Sequence, residues 1–212
     1  IENKVNVAVT PRFIPSCTDE ALNALGDLAS THSSYIQTHC SESDWEHNYV
    51  IERCGKSDTE ALMEYGLLTE STILAHGNFI SENDMDLIKE QGAGIAHCPL
   101  SNYFFSDAVF PLRRALEKGL RVGLGTDISG GPSASVLDSC RSAITAARAL
   151  ENGTDASLER DERGVPKSRV DFSDAFYLAT KGGAEVLNLS TGSFEKGSFL
   201  DAILIDTKVD NA

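Results

Sequence analysis

Short β-rich runs recur along this chain, and several stop at a residue that can carry chemistry. They are Val5 to Thr10, Tyr35 to Thr38, Thr72 to Ala75, Gly94 to Ala96 and Arg121 to Gly125. None alternates cleanly between apolar and polar residues, as expected of parallel strands covered on both faces. Helical patterns lie between them: Leu22, Leu25, Leu28 and Ala29 repeat at three and four residues, as do Leu137, Cys140, Ile144 and Ala147. Ser81, with Asp84 three residues on, predicts the capped start of a helix carrying Met85 and Ile88. Strand and helix therefore alternate, and the fold class is α/β.

The polar strand-end residues are spaced by 37 (His39 to His76), 21 (His76 to His97) and 30 (His97 to Asp127) positions. These intervals suit successive βα units of roughly 30 residues. Five such units, with chemistry at the strands' carboxyl ends, predict part of an eight-stranded (β/α) barrel of the TIM type. An open doubly wound sheet would usually carry a glycine-rich phosphate loop after its first strand, and none is present. The barrel portion is expected over residues 1–190. Residues 191–212 are expected to return to a small β-sandwich domain, with Phe199 to Asp206 as its strand. The 17 residues from Gly153 to Arg169 carry eight charges without periodicity and predict a solvated insertion rather than a mobile flap.

Composition narrows the partners. Eighteen basic against 32 acidic residues give a net charge of -14, which repels phosphate backbones and anionic membranes. Neither nucleic acid nor membrane is an expected partner, and no apolar run approaches the ~20 residues that span a bilayer. Cys17, Cys40, Cys54, Cys98 and Cys140 are an odd number, with no Cys-x-x-Cys pair. A reducing, cytoplasmic location is expected. Cys40 and Cys98 read as small buried residues. The chain starts at Ile1 rather than Met, and an N-terminally incomplete sequence is expected.

The run Gln37-Thr38-His39-Cys40-Ser41-Glu42 ends an apolar stretch with a histidine and places a carboxylate three residues later. Ala75-His76-Gly77 and Gly125-Thr126-Asp127 end two further stretches in the same way. Zinc hydrolases need fixed nitrogen and oxygen ligands around an open position, and His39 and Asp127 can supply one of each. Glu42 can move protons beside them without binding the metal. Singly, each residue has a plain alternative: a lone strand-end histidine is more often a hydrogen-bonded loop residue, and Gly-Thr-Asp is a common cap or turn. Their joint pattern favours hydrolysis at a metal. His32 and His47 keep the plain reading, while His97, before Cys98-Pro99, suits a pocket wall and a structural role equally. In Thr10-Pro11-Arg12-Phe13, the arginine's planar fork matches two adjacent acceptors such as O6 and N7 of guanine, and Phe13 can pack on a ring. Pairing of Arg12 with a carboxylate has equal weight from composition.

These four motifs, together with Ala96-His97-Cys98-Pro99, resemble in order and spacing the guanine deaminase family of the metal-dependent amidohydrolase superfamily. The resemblance covers nearly the whole chain. It implies that His39 and Asp127 bind zinc, one ion per chain, and that Glu42 shuttles protons. It further implies that His76 orients the attacking water, that Asp127 takes a proton from it, and that Arg12 and Phe13 hold guanine, with His39, Glu42 and Asp127 also lining the substrate site. Guanine would lose its amino group as ammonia and leave xanthine, a step of purine catabolism. A homodimer is implied as well.

The family's His-x-His pair, which supplies two further zinc ligands, has no counterpart in these residues. Leu100 stands where relatives often carry a polar residue. Two rival readings follow: an amidohydrolase acting on another amino-heterocycle (an adenosine derivative or a triazine), or a truncated, non-catalytic interaction protein without a complete zinc site. The cytidine-deaminase type is disfavoured, since its His-x-Glu and Pro-Cys-x-x-Cys motifs are absent.

Overall fold

A computed structural model of the chain describes residues 5–205. Five strands, β1 (Ala8–Val9), β2 (Tyr35–Cys40), β3 (Thr72–His76), β4 (Gly94–His97) and β5 (Arg121–Leu124), form one sheet. All four pairings are parallel and the strands follow chain order. The helices are α1 (Asp19–His32), α2 (Asp44–Cys54), α3 (Asp58–Glu64), α4 (Glu82–Gln91), α5 (Pro99–Ser106), α6 (Leu112–Lys118), α7 (Val136–Asn152), α8 (Phe172–Tyr177) and α9 (Gly183–Val186). A doubly wound sheet reverses its strand order at a switch point, and this one does not. Right-handed crossovers that all step in one direction place their helices on one face of the sheet.

The register explains the strand composition. Thr38, Leu74, Ile95 and Val122 sit side by side across β2 to β5, and all four are buried. This row belongs to the face covered by helices, where Met85 and Ile88 of α4 and Ala115 of α6 join the same core. The next row, His39, Ala75, Ala96 and Gly123, points to the opposite face because successive residues of a strand alternate. That face is partly covered near β4 and β5. A Cβ on Gly94 would meet Val186 at 2.7 Å, and one on Gly123 would meet the Gly183 Cα at 2.8 Å. Glycine at these two positions lets the segment carrying α9 lie directly on the sheet.

Local sequence explains the helix ends. Ser81 and Asp84 form the expected reciprocal cap of α4, and Ser57 with Glu60 does the same for α3. Gly55, Gly92 and Gly119 end α2, α4 and α6 in the left-handed conformation that glycine adopts without strain. The helical run expected from Asp171 to about Leu187 is present, but a π-helical turn at Leu178–Gly182 joins α8 to α9. The segment 153–169 has no helix or strand and is mostly exposed. It is tied to α7 by the Val165 amide donating to the Leu150 carbonyl at 2.8 Å and by the Arg169–Glu151 ion pair at 2.7 Å.

Two expectations need correction. The first strand is much shorter than Val5 to Thr10, since only Ala8 and Val9 pair with β2. The expected return strand is not formed over 199–205, and its last residue, Asp206, lies outside the described residues. A strand needs a neighbour for its N–H and C=O groups. Among the described residues none is offered, and Leu200, Ile203, Leu204 and Ile205 are exposed. Phe199 alone is held, its amide donating to the Ser190 carbonyl at 2.8 Å.

Candidate metal centre

The carboxyl ends of β2 and β3 bring three groups together. Donor atoms of His39, Glu42 and His76 all lie within 4.8 Å of one another. The imidazoles of His39 and His76 stack with centroids 5.1 Å apart, and His76 Nε2 is 3.7 Å from Glu42 Oε1. Strand alternation alone would aim His76 to the helix side with its neighbour Cys40. Its φ of 72° turns the strand end, and the ring meets His39 instead. Non-glycine residues in the left-handed region are uncommon, with Asn, Asp and His the types most often found there. Asp127 shares this property with a φ of 48°.

The tautomers suit metal binding. His39 Nδ1 lies 2.7 Å from the Arg12 carbonyl oxygen and must donate to it, which leaves Nε2 as a lone pair. His76 Nδ1 donates to Asn102 Oδ1 at 2.9 Å, with the same consequence. Metal-binding histidines characteristically give their second nitrogen to such an acceptor. Burial pulls the His76 pKa below the ordinary imidazole value, against the pull of Glu42, so the ring is neutral near pH 7. A nitrogen and oxygen donor set of this kind fits zinc.

Asp127 follows β5 and lies outside the tight group. Its Oδ2 accepts the Ser101 hydroxyl at 2.5 Å, while Oδ1 has no hydrogen bond among the described residues. Its charge still reaches His76. The structure thus pairs His39 most closely with Glu42 and His76, where the sequence pairs it with Asp127 as ligands. Beside His39, Phe13 lies 6.2 Å away, centroid to centroid, and another 6.2 Å from Trp45. The Arg12 guanidinium sits 4.8 Å from the centre of the Phe13 ring. It makes no ion pair among the described residues. Ala75 and Ala96 continue the row from His39 with small side chains.

His97 is buried 5.1 Å from the Phe110 ring, and burial together with the nearby His76 pulls its pKa to about 3. Among the described residues its Nδ1 has no partner. Cys40 and Cys98 are buried as expected, and burial pushes the Cys98 thiol up to about 12. His32 closes α1, and His47 lies on α2, 3.8 Å from the buried Asp58.

Sequence reasoning missed four residues. Ser101 and Asn102, on the first turns of α5, hold Asp127 and His76. Asn78 donates to the Glu42 carbonyl at 2.8 Å, and Glu46 accepts from the Glu42 amide at 2.7 Å. Only Glu46 had a local signal: Ser43-x-x-Glu46 has the form of a capping box.

Known proteins resemble this chain in sequence and fold. A probable guanine deaminase of Schizosaccharomyces pombe is 39% identical over 97% of this chain and 38% of its own length. The mouse guanine deaminase is 36% identical over 99% of this chain and 45% of its own. A guanine deaminase from C. acetobutylicum, solved with guanine in its active site, superposes with a TM-score of 0.77 at 32% identity. That superposition covers 89% of this chain and 43% of the other. The chain spans less than half the length of these relatives. No helix among the described residues is long and apolar enough to cross a membrane. The profile of the amidohydrolase family matches residues 2–212, and with parallel strands that converge their polar ends on one cluster, the chain belongs to the amidohydrolase family.

Proposed function

We propose that this chain carries the carboxyl-terminal part of an active site that hydrolyses guanine to xanthine and ammonia with the help of zinc. The observation that carries the reading is the convergence of His39, Glu42 and His76 within 4.8 Å, next to Arg12 and Phe13. The guanine deaminases among its relatives support the substrate. The five βα units would form part of an eight-stranded barrel over residues 1–190, because β1 and β5 are open edges of a sheet in barrel order. Residues 191–212 would lead into a small β domain. The protein would act in the cytoplasm, as a homodimer, without nucleic-acid or membrane partners.

His39 and Asp127 would hold one zinc ion, together with the two histidines of a His-x-His pair from outside these residues. Bound zinc lowers the pKa of a coordinated water to about 7. His76, with its Nδ1 proton committed to Asn102, accepts a hydrogen bond from the attacking water at Nε2 and orients it toward C2 of guanine. Asp127 would take a proton from that water and pass it to the amino group as it leaves, while Glu42 would deliver a proton to the purine ring and regain one from the new hydroxyl group. Loss of the amino group as ammonia completes the exchange of nitrogen for oxygen. Arg12 reads the O6 and N7 edge, Phe13 packs on the ring, and the small Ala75 and Ala96 leave room for it.

The test is guanine turnover by the zinc-loaded full natural chain, followed by ammonia release and the change in ultraviolet absorbance. Xanthine and ammonia in equal amounts are expected. Guanine left intact, with an adenosine derivative or triazine hydrolysed instead, would refute the substrate assignment.

A further inference from the structure

The first turn of α2 departs from the capping pattern used elsewhere in this chain. In α3, α4 and α8 the third helical residue is an acid whose side chain returns to the amide of the N-cap residue. In α2 the N-cap is Ser43, whose hydroxyl accepts from the Glu46 amide at 3.2 Å. The Glu46 carboxyl then passes the N-cap and takes the amide of Glu42, one residue earlier, at 2.7 Å. Among the described residues its other oxygen, Oε1, has no partner. Asp84 of α4 is also buried, at 5% exposed, but both of its oxygens accept hydrogen bonds, whereas Glu46 is 1% exposed and only one of its oxygens does among the described residues.

Burying a carboxyl with an empty oxygen costs stability, and a capping bond alone does not account for it. The bond falls on the backbone of the residue proposed to move protons. Asn78 holds the other side of the same residue, donating to the Glu42 carbonyl at 2.8 Å. The Glu42 main chain is therefore fixed through both its amide and its carbonyl, while its carboxylate stands 3.7 Å from His76.

We propose that Glu46 is a positioning residue: as a hydrogen-bond acceptor, with Asn78 opposite, it holds the Glu42 backbone so that the Glu42 carboxylate faces His76 and the substrate. This rests on the reading of Glu42 as the proton-transfer group. The function belongs to the acceptor oxygen and not to a charge, so glutamine serves in its place and leucine does not. A misplacement of ~1 Å at a reacting group can cost ~10²-fold in rate.

The experiment compares Glu46→Leu and Glu46→Gln in the full natural chain. Steady-state kinetics on guanine, zinc content and a crystal structure of each variant are measured. In Glu46→Leu, kcat is expected to fall by ~10²-fold with KM and zinc content near those of the parent, and the Glu42 carboxylate to move by ~1 Å from His76. Glu46→Gln is expected to recover most of that kcat and to restore the position of Glu42. An unmoved Glu42 in the leucine variant overturns the proposal, and so does a glutamine variant as slow as the leucine one. Should the leucine variant fail to fold, the glutamine variant decides alone: retained Glu42 geometry and kcat support the proposal, and their loss overturns it. If the parent itself leaves guanine unchanged, the deaminase reading fails, while the displacement of Glu42 in the crystal still decides the positioning role.

Discussion

Replacing Glu46 by glutamine should change how stability depends on pH. Burial raises the Glu46 pKa from 4.5 to about 8, with Asp58 and Glu42 adding to the rise and the Glu42 amide and Arg12 opposing it. The unfolded chain loses this proton near pH 4.5, whereas the folded chain keeps it to about pH 8. Stability from this group is thus fully present below the lower value and is lost as pH rises through the higher one. A rise of this size corresponds to a ceiling on the order of 5 kcal/mol, at about 1.4 kcal/mol per pH unit. Glutamine does not titrate and keeps an oxygen for the Glu42 amide. Urea unfolding of the parent and Glu46→Gln at about pH 5 and about pH 9 reads the difference. The two proteins should be similar at the acid end, and the variant should gain several kcal/mol over the parent at the alkaline end, within the stated ceiling. Groups common to both proteins cancel in this comparison. An equal difference at the two pH values would refute the argument that Glu46 is folded as a neutral acid.

Three further outcomes follow from the geometry. Glu42→Gln should keep its bound zinc, measured by metal analysis, while kcat on guanine falls at least ~10²-fold; near-parent turnover would assign the proton transfer to another group. Arg12→Ala should lower kcat/KM for guanine by ~1–3 kcal/mol, and unchanged kinetics would remove Arg12 from the substrate site. Gly123→Ala should destabilise the fold by ~1–3 kcal/mol, because its new methyl group meets the Gly183 backbone at 2.8 Å. Thermal unfolding measures that cost, and an unshifted midpoint would mean that α9 does not press on β5.

The alternation of strand and helix was legible because it is written in local periodicity. So was the position of His39, His76 and Asp127 at strand ends, since each closes an apolar run. The length of β1 was not legible, because Val5 and Val7 have strand propensity but only Ala8 and Val9 find a partner in β2. Propensity for a strand is realised only by pairing. The strand expected from Phe199 failed for the same reason, since no neighbouring edge lies beside 200–205 among the described residues.

The sequence by itself determined which side chains stand at the strand ends and what chemistry their types permit. Spacing along the chain sets those positions, and side-chain identity sets donor, acceptor and charge. Only the tertiary structure decided which of them meet. The parallel register placed His39 beside Ala75 and Ala96, and the left-handed turn at His76 brought the two imidazoles into contact. Burial and long-range hydrogen bonds then assigned roles that no local pattern encodes, as when Asn102, 26 residues from His76, accepts a hydrogen bond from its Nδ1–H. Electrostatic environment depends on what surrounds a group in space, and for Glu46 and His76 that surrounding is assembled from segments distant in the chain.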